Sequence, residues 1–87
     1  MYRITPEKNA EVSFLVSGQM DSECMAELKS LFLVETEERR IALDLRELTL
    51  VDEDAVRFLA GCQTEGIGLK NCPAYISEWI RREQDGG

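Results

Sequence analysis

The chain has 87 residues, enough for one small domain, and we predict that residues 1–87 form a single unit. It carries 17 acidic and 10 basic residues, and a net charge of −7 disfavours direct binding of nucleic-acid phosphates. Histidine is absent, which removes the commonest general base and metal ligand. No apolar run reaches the roughly 20 residues of a membrane helix, and the N-terminus lacks a signal-peptide core. We therefore expect a cytoplasmic protein without direct membrane insertion.

The three cysteines, Cys24, Cys62 and Cys72, are an odd number and include no closely spaced pair. Disulfide frameworks and zinc sites normally show paired cysteines at short spacing. This pattern favours free, mostly buried thiols over a redox or metal role.

The first half of the chain predicts a hairpin followed by a helix and a strand. Residues 2–5 and 11–17 have strand character, and the turn at 6–9 is so short that the two strands must be antiparallel. Asp21 or Ser22 can cap a helix over 21–35, where apolar residues recur at helical spacing. A solvated connection at 37–40 then leads into a strand at 41–45.

The second half repeats this alternation. The acidic cluster Asp52, Glu53 and Asp54 opens a second helix, which ends before Gly66. A short strand is predicted at 66–70, and Pro73 lies near the first position of a final helix. Residues 84–87 are expected to fray.

The order β-β-α-β-α-β-α predicts an α/β fold with a four-stranded mixed sheet. Each crossover should be right-handed, which gives three parallel strands with the N-terminal strand as the antiparallel edge, and we expect the strands to lie side by side in sequential order. Polar residues alternate with apolar ones along the strands, so the helices should cover one face only. Asp44, in the middle of a strand, should face solvent on the open side or pair with a neighbour.

Three stretches of the sequence resemble the STAS domain, named for sulfate transporters and anti-sigma-factor antagonists. Residues 41–55, IALDLRELTLVDEDA, resemble its signature of an apolar strand, a short connection and Asp-Ser-Ser/Thr-Gly at a helix start. Residues 18–21, GQMD, are similar to its Gly-x-x-Asp, and residues 66–76 resemble its last common strand and helix. The resemblance implies the layered β-α fold of the family.

In STAS members of the antagonist type, a kinase-like anti-sigma factor phosphorylates the serine after the motif aspartate. Asp52 matches that aspartate, but Glu53 occupies the phosphoacceptor position, Asp54 the next hydroxyl and Ala55 the glycine. The resemblance therefore implies a non-catalytic interaction module that phosphorylation does not switch at this position. The surface implied for partner binding comprises Gly18, Asp21, Asp52, Glu53, Asp54 and Ala55.

The resemblance also implies a protein partner, no cofactor, and a monomer or weak dimer. The partner would be a kinase-like anti-sigma factor. Alternatively, the chain would be an accessory subunit of an ATP-driven lipid transporter, and its partner would be another subunit of that transporter.

Two other interpretations of the acidic residues remain open. Carboxylates suit the first turn of a helix, so Asp52, Glu53 and Asp54 can be helix-capping residues without a recognition role. Together with Asp21 they can also form a divalent-cation site or part of an enzyme, because carboxylate oxygens bind Ca²⁺ and Mg²⁺. The sequence has neither the EF-hand spacing nor a phosphate-binding glycine loop, and we assign no catalytic residue and no metal ligand.

Overall fold

The computed structural model describes residues 1–8, 11–34 and 40–85. Its strands are β1 (Tyr2–Lys8), β2 (Val12–Gln19), β3 (Ile41–Asp44), β4 (Leu48–Leu50) and β5 (Gly68–Lys70). Its helices are α1 (Ser22–Val34), α2 (Glu53–Thr64) and α3 (Ala74–Asp85). The predicted connection at 37–40 lies largely outside the described residues, as does the end of the predicted tail at 86–87.

The sheet has the predicted topology, with one addition. The strand order is β1-β2-β3-β5, in which β1 pairs antiparallel with β2 and the other neighbours are parallel. The added strand, β4, pairs in parallel with the end of β2, at Gly18 and Gln19, beyond the part of β2 that pairs with β3. A turn after β3 brings the chain back to β2, and Leu48 N–H donates to the Leu45 carbonyl within it. Strands β3 and β4 thus follow one another along the same side of β2.

Strand β1 is longer than the sequence predicted. The prediction ended the strand at Thr5 and placed a turn at 6–9, but Pro6, Glu7 and Lys8 continue the strand and pair with Phe14, Ser13 and Val12. A proline is tolerated on an edge strand because its missing N–H need not face a neighbouring strand. The turn prediction was therefore wrong for residues 6–8.

The helices pack on one face of the sheet, as predicted. Alternate residues of β2, at positions 12, 14 and 16, form one buried cluster with Leu43 of β3 and Leu45. The buried residues of all three helices belong to the same cluster, and they are Cys24, Leu28, Ala55, Val56, Leu59, Cys62, Ile76 and Ile80. No helix in the described part of the chain is both long and apolar enough to cross a bilayer.

The opposite face of the sheet carries Asp44, which pairs with neighbours as expected. Asp44 is the only buried charged residue in the described chain, with 9% of the residue exposed. Its Oδ1 accepts hydrogen bonds from the Arg46 backbone N–H at 3.1 Å and from Asn71 Nδ2 at 3.2 Å. These two donors satisfy the buried carboxylate and join the turn after β3 to the loop after β5.

Candidate functional site

Helices α1 and α2 begin side by side at one edge of the sheet. Each helix follows a strand whose end lies at this edge, since β2 leads to α1 and β4 leads to α2. Gly18 and Gln19 of β2 pair with β4, and Met20 N–H donates to the Leu50 carbonyl at 3.0 Å. The geometry brings the predicted partner-binding residues into one region. We call the set Gly18, Asp21, Asp52, Glu53, Asp54 and Ala55 the helix-start surface.

The two motif aspartates cap the two helices. Asp21 Oδ1 accepts the backbone N–H of Cys24 at 2.9 Å, and Asp52 Oδ1 accepts the backbone N–H of Ala55 at 2.9 Å. Asp52 has an extended backbone, with φ −119° and ψ −175°, which is typical of an N-cap. Each carboxylate satisfies an amide that has no partner within its own helix. The predicted capping role of Asp52 is confirmed, and Asp21 rather than Ser22 caps α1.

Glu53 and Asp54 do not cap α2 but lie beside one arginine. Arg57 Nη2 donates to Glu53 Oε1 at 2.5 Å, and Arg57 Nη1 lies 3.7 Å from Asp54 Oδ1. Arg57 Nε lies 3.9 Å from Glu83 Oε2 of α3, so one guanidinium faces three carboxylates. The side chains of Glu53 and Asp54 remain 60% and 77% exposed. Both carboxylates are therefore accessible to another molecule.

Gly18 and Ala55 have structural reasons for being small. Gly18 has φ +87°, and an added Cβ would clash with the Met1 carbonyl oxygen. Thr49 Oγ1 donates to the Gly18 carbonyl at 3.0 Å, which ties β4 to this glycine. Ala55 is fully buried in the core cluster. Neither residue offers a side chain to a partner.

A groove between α1 and α2 begins at the first turns of the two helices and continues along them. The part at the helix starts, about 420 Å³, is bordered by Ser22 and Asp54, and the part farther along the helices, about 320 Å³, is bordered by Cys62. The rings of Phe32 and Phe58 stack with centroids 6.3 Å apart, and Lys29 Nζ lies 5.8 Å from the centre of the Phe58 ring. This groove depends on how two helices pack together, and no short motif in the sequence predicted it.

The acidic residues considered for cation binding do not point their carboxylates at one common position. Within the ranges that the structure describes, no three side chains of the metal-binding types come together to hold an ion. Asp21 and Asp52 each accept from a backbone amide, and Glu53 and Asp54 lie beside Arg57. Cation binding by the predicted residues Asp21, Asp52, Glu53 and Asp54 thus has no preformed geometry in its favour.

The cysteines are poor nucleophiles in this environment. Burial is the main cause that raises the pKa of the Cys24 thiol to about 11 and that of Cys62 to about 12. Nearby carboxylates, Asp21 beside Cys24 and Glu65 beside Cys62, add to the increase. Burial also raises the pKa of the half-buried Cys72. Because the reactive form of cysteine is the thiolate, all three thiols are protonated and weakly reactive near neutral pH.

Comparison with known proteins identifies the fold. No model of a known protein family matches the chain, and no curated protein matches it by sequence. Among solved structures, it is similar to the anti-sigma factor antagonist SpoIIAA in its unphosphorylated form. That match has a TM-score of 0.64 and 13% identity, and it covers 94% of this chain and 83% of SpoIIAA. An uncharacterised DUF3478-family protein with a SpoIIAA-like fold, from Shewanella loihica PV-4, matches with a TM-score of 0.55. The identity is 17%, over 98% of this chain and 78% of the other.

A third similar structure is that of Mglu, with a TM-score of 0.60 and 21% identity over 80% of this chain. The chain spans only 19% of the length of that protein. At these identities the similarities concern the fold. The protein is an α/β domain with the SpoIIAA-like STAS fold.

Proposed function

We propose that the protein is a non-catalytic STAS-type regulatory module that binds a protein partner through the helix-start surface. The observation that carries this proposal is the exposure of Glu53 and Asp54, at 60% and 77% of their side chains, at the start of α2. Backbone capping accounts for Asp52 but not for these two acids. The similarity to SpoIIAA, an anti-sigma factor antagonist, supports a protein partner such as a kinase-like anti-sigma factor.

Partner binding is proposed to be independent of phosphorylation at the start of α2. Glu53 holds the position that the sequence resemblance assigns to the phosphoacceptor serine, and it has no hydroxyl that could form the phosphate ester of a phosphoserine. Arg57 lies 2.5 Å from Glu53 and offsets its charge. Glu53 carries a single charge that Arg57 offsets, so this residue alone does not reproduce the roughly −2 charge of a phosphoserine.

A protein-binding role is also supported by the chemistry that the helix-start surface offers. In the described chain, the acidic side chains form no preformed metal site. The three thiols have raised pKa values and are weakly reactive. Exposed carboxylates on a rigid helix start are suited to pairing with cationic side chains of a partner.

The experiment that tests this proposal is affinity capture from the cytoplasm of the native cells, comparing the wild type with Glu53→Lys. A specific partner should be retained by the wild type and lost with the variant, because the substitution reverses the charge at the contact. Glu78→Lys, at an exposed position on α3, is the control with the same change in net charge and should retain the partner. Equal retention by all three proteins would contradict a role for the helix-start surface.

A further inference from the structure

Strand β4 presents a side that no other described strand covers. It pairs with β2 alone, whereas the other four strands form the continuous order β1-β2-β3-β5. Of its three residues, Leu48 is buried in the core, whereas Thr49 and Leu50 are exposed. An uncovered strand keeps backbone groups available to another molecule.

Leu50 is an apolar residue next to the helix-start surface. Fifty-four per cent of the residue is exposed, although its carbonyl is fixed by the hydrogen bond from Met20 N–H. A single exposed leucine is ordinary on a protein surface. This leucine differs because it lies on the uncovered strand, two residues before Asp52, where the Met20 N–H ties its carbonyl to the chain at the end of β2.

The surroundings of Leu50 are acidic. Within four residues along the chain lie four exposed acids, Glu47, Asp52, Glu53 and Asp54, and one basic residue, Arg46. The nearest arginines on either side are already paired, Arg46 with Asp44 and Arg57 with the acids of α2. An excess of negative charge therefore surrounds this one apolar side chain.

From this arrangement we infer that Leu50 and the uncovered side of β4 are the apolar centre of the partner contact. The partner presents an apolar recess rimmed by lysine or arginine, which complements the leucine and the carboxylates around it. This inference rests on the proposed function, and it adds the chemistry of the partner and a residue that the STAS resemblance did not assign. Central apolar anchors with a charged rim are the usual arrangement of protein interfaces.

The test uses two designed peptides of equal length as probes, one of alternating leucine and lysine and one of alternating leucine and glutamate. Each is titrated into the ¹⁵N-labelled full chain, and the amide signals that shift are mapped by NMR. The lysine peptide should shift signals of β4 and the start of α2, and the glutamate peptide should leave them unchanged. Shifts centred on any other surface, or equal shifts with both peptides, would overturn the inference.

Variants separate the leucine from the overall negative charge. Leu50→Ser should weaken binding of the lysine peptide about fivefold, because it removes the apolar area buried in the complex. Leu50→Ala should give an intermediate loss, and both variants keep the backbone bond to Met20 that holds the strand. Leu33→Ser, at a leucine of α1 that is 88% exposed, is the matched control and should bind as the wild type does. An equal loss of peptide binding with the Leu33 and Leu50 variants would show nonspecific hydrophobic binding and would contradict a specific contact at Leu50.

The captured native partner distinguishes failure of this inference from failure of the proposed function. A partner that Glu53→Lys releases, but that Leu50→Ser and about 0.5 M salt leave bound, would overturn the inference and leave the proposed function standing. If no captured protein depends on Glu53, the proposed function fails, whatever the peptides show. Release of the partner by both Glu53→Lys and Leu50→Ser, with the peptide shifts on β4, is the result expected.

Discussion

The starts of α1 and α2 share one capping geometry but differ in charge. In both, an aspartate accepts the backbone N–H three residues later at 2.9 Å, Asp21 from Cys24 and Asp52 from Ala55. After its cap, α1 continues with Ser22 and one acid, whereas α2 continues with two acids, both close to an arginine. A helix start therefore needs the aspartate, and the acids that follow in α2 are not required for capping.

This difference separates structural from functional candidates within one motif. If capping explained all the acids of α2, α1 would need a similar cluster to be equally well formed, yet Asp21 and Glu23 suffice there. The aspartates are thus expected to affect stability, and Glu53 and Asp54 to affect binding. Mutations at matched positions of the two helix starts can test this separation directly.

The largest effect on stability is expected from Gly18→Ala, in the strand that leads to α1. The left-handed backbone costs an alanine about 1–2 kcal/mol, and the contact of its Cβ with the Met1 carbonyl raises the total to about 3 kcal/mol or more. Gly66→Ala is the control, because Gly66 has φ +89° but no atom within 4 Å of an added Cβ. Urea denaturation should show a loss for Gly66→Ala of only about 1–2 kcal/mol. Equal losses would contradict the close approach at Gly18.

The next largest effect is expected at the two caps. Asp21→Ala and Asp52→Ala should each lower the free energy of unfolding by about 1 kcal/mol, because each leaves a backbone amide without its acceptor. Asp→Asn at either position keeps an acceptor oxygen and should recover most of the loss. Chemical denaturation at constant salt measures all four variants. A loss at only one of the two positions would show that the two helix starts are not equivalent.

Sequence reasoning succeeded where local patterns determine the structure. The alternation of Val12, Phe14 and Val16 identified the buried face of β2, and the spacing of Asp52 from the following helix identified an N-cap. The order of the predicted strands in the sheet follows from right-handed crossovers together with helices on one face, and both depend little on side-chain detail. These features need only a few neighbouring residues to be specified.

Other features depend on contacts between distant segments, and the sequence did not predict them. Strand β4 has three residues, and only its pairing with the end of β2 makes it a strand. The apolar-polar-apolar order of residues 48–50 is a weak indication of strand structure. The stacking of Phe32 on Phe58 requires α1 and α2 to lie side by side. Arg57 could have been found from its i,i+4 spacing to Glu53, which favours an ion pair on a helix.

The smallest effect on stability is expected from Arg57→Gln. This variant removes from α2 a positive charge that has no counterpart at the matching position of α1. All three groups of the α2 pairing are largely exposed, with side chains 60%, 60% and 77% accessible for Arg57, Glu53 and Asp54. Solvent screens such pairs, so the loss should be about 0.5 kcal/mol or less at low salt and should vanish at high salt. A double-mutant cycle with Glu53→Gln should give a coupling free energy of about 0.3–0.5 kcal/mol, as for other helical i,i+4 pairs.

The same variant sharpens the comparison between stability and binding. Without Arg57, the residues from Asp52 to Arg57 lose their only positive charge, so a cationic partner should bind more tightly although the fold is slightly less stable. Arg57→Lys keeps the charge and should restore both properties. Binding that falls in parallel with stability would instead indicate that Arg57 contacts the partner itself, and the negative charge of α2 would then not be what the partner recognises.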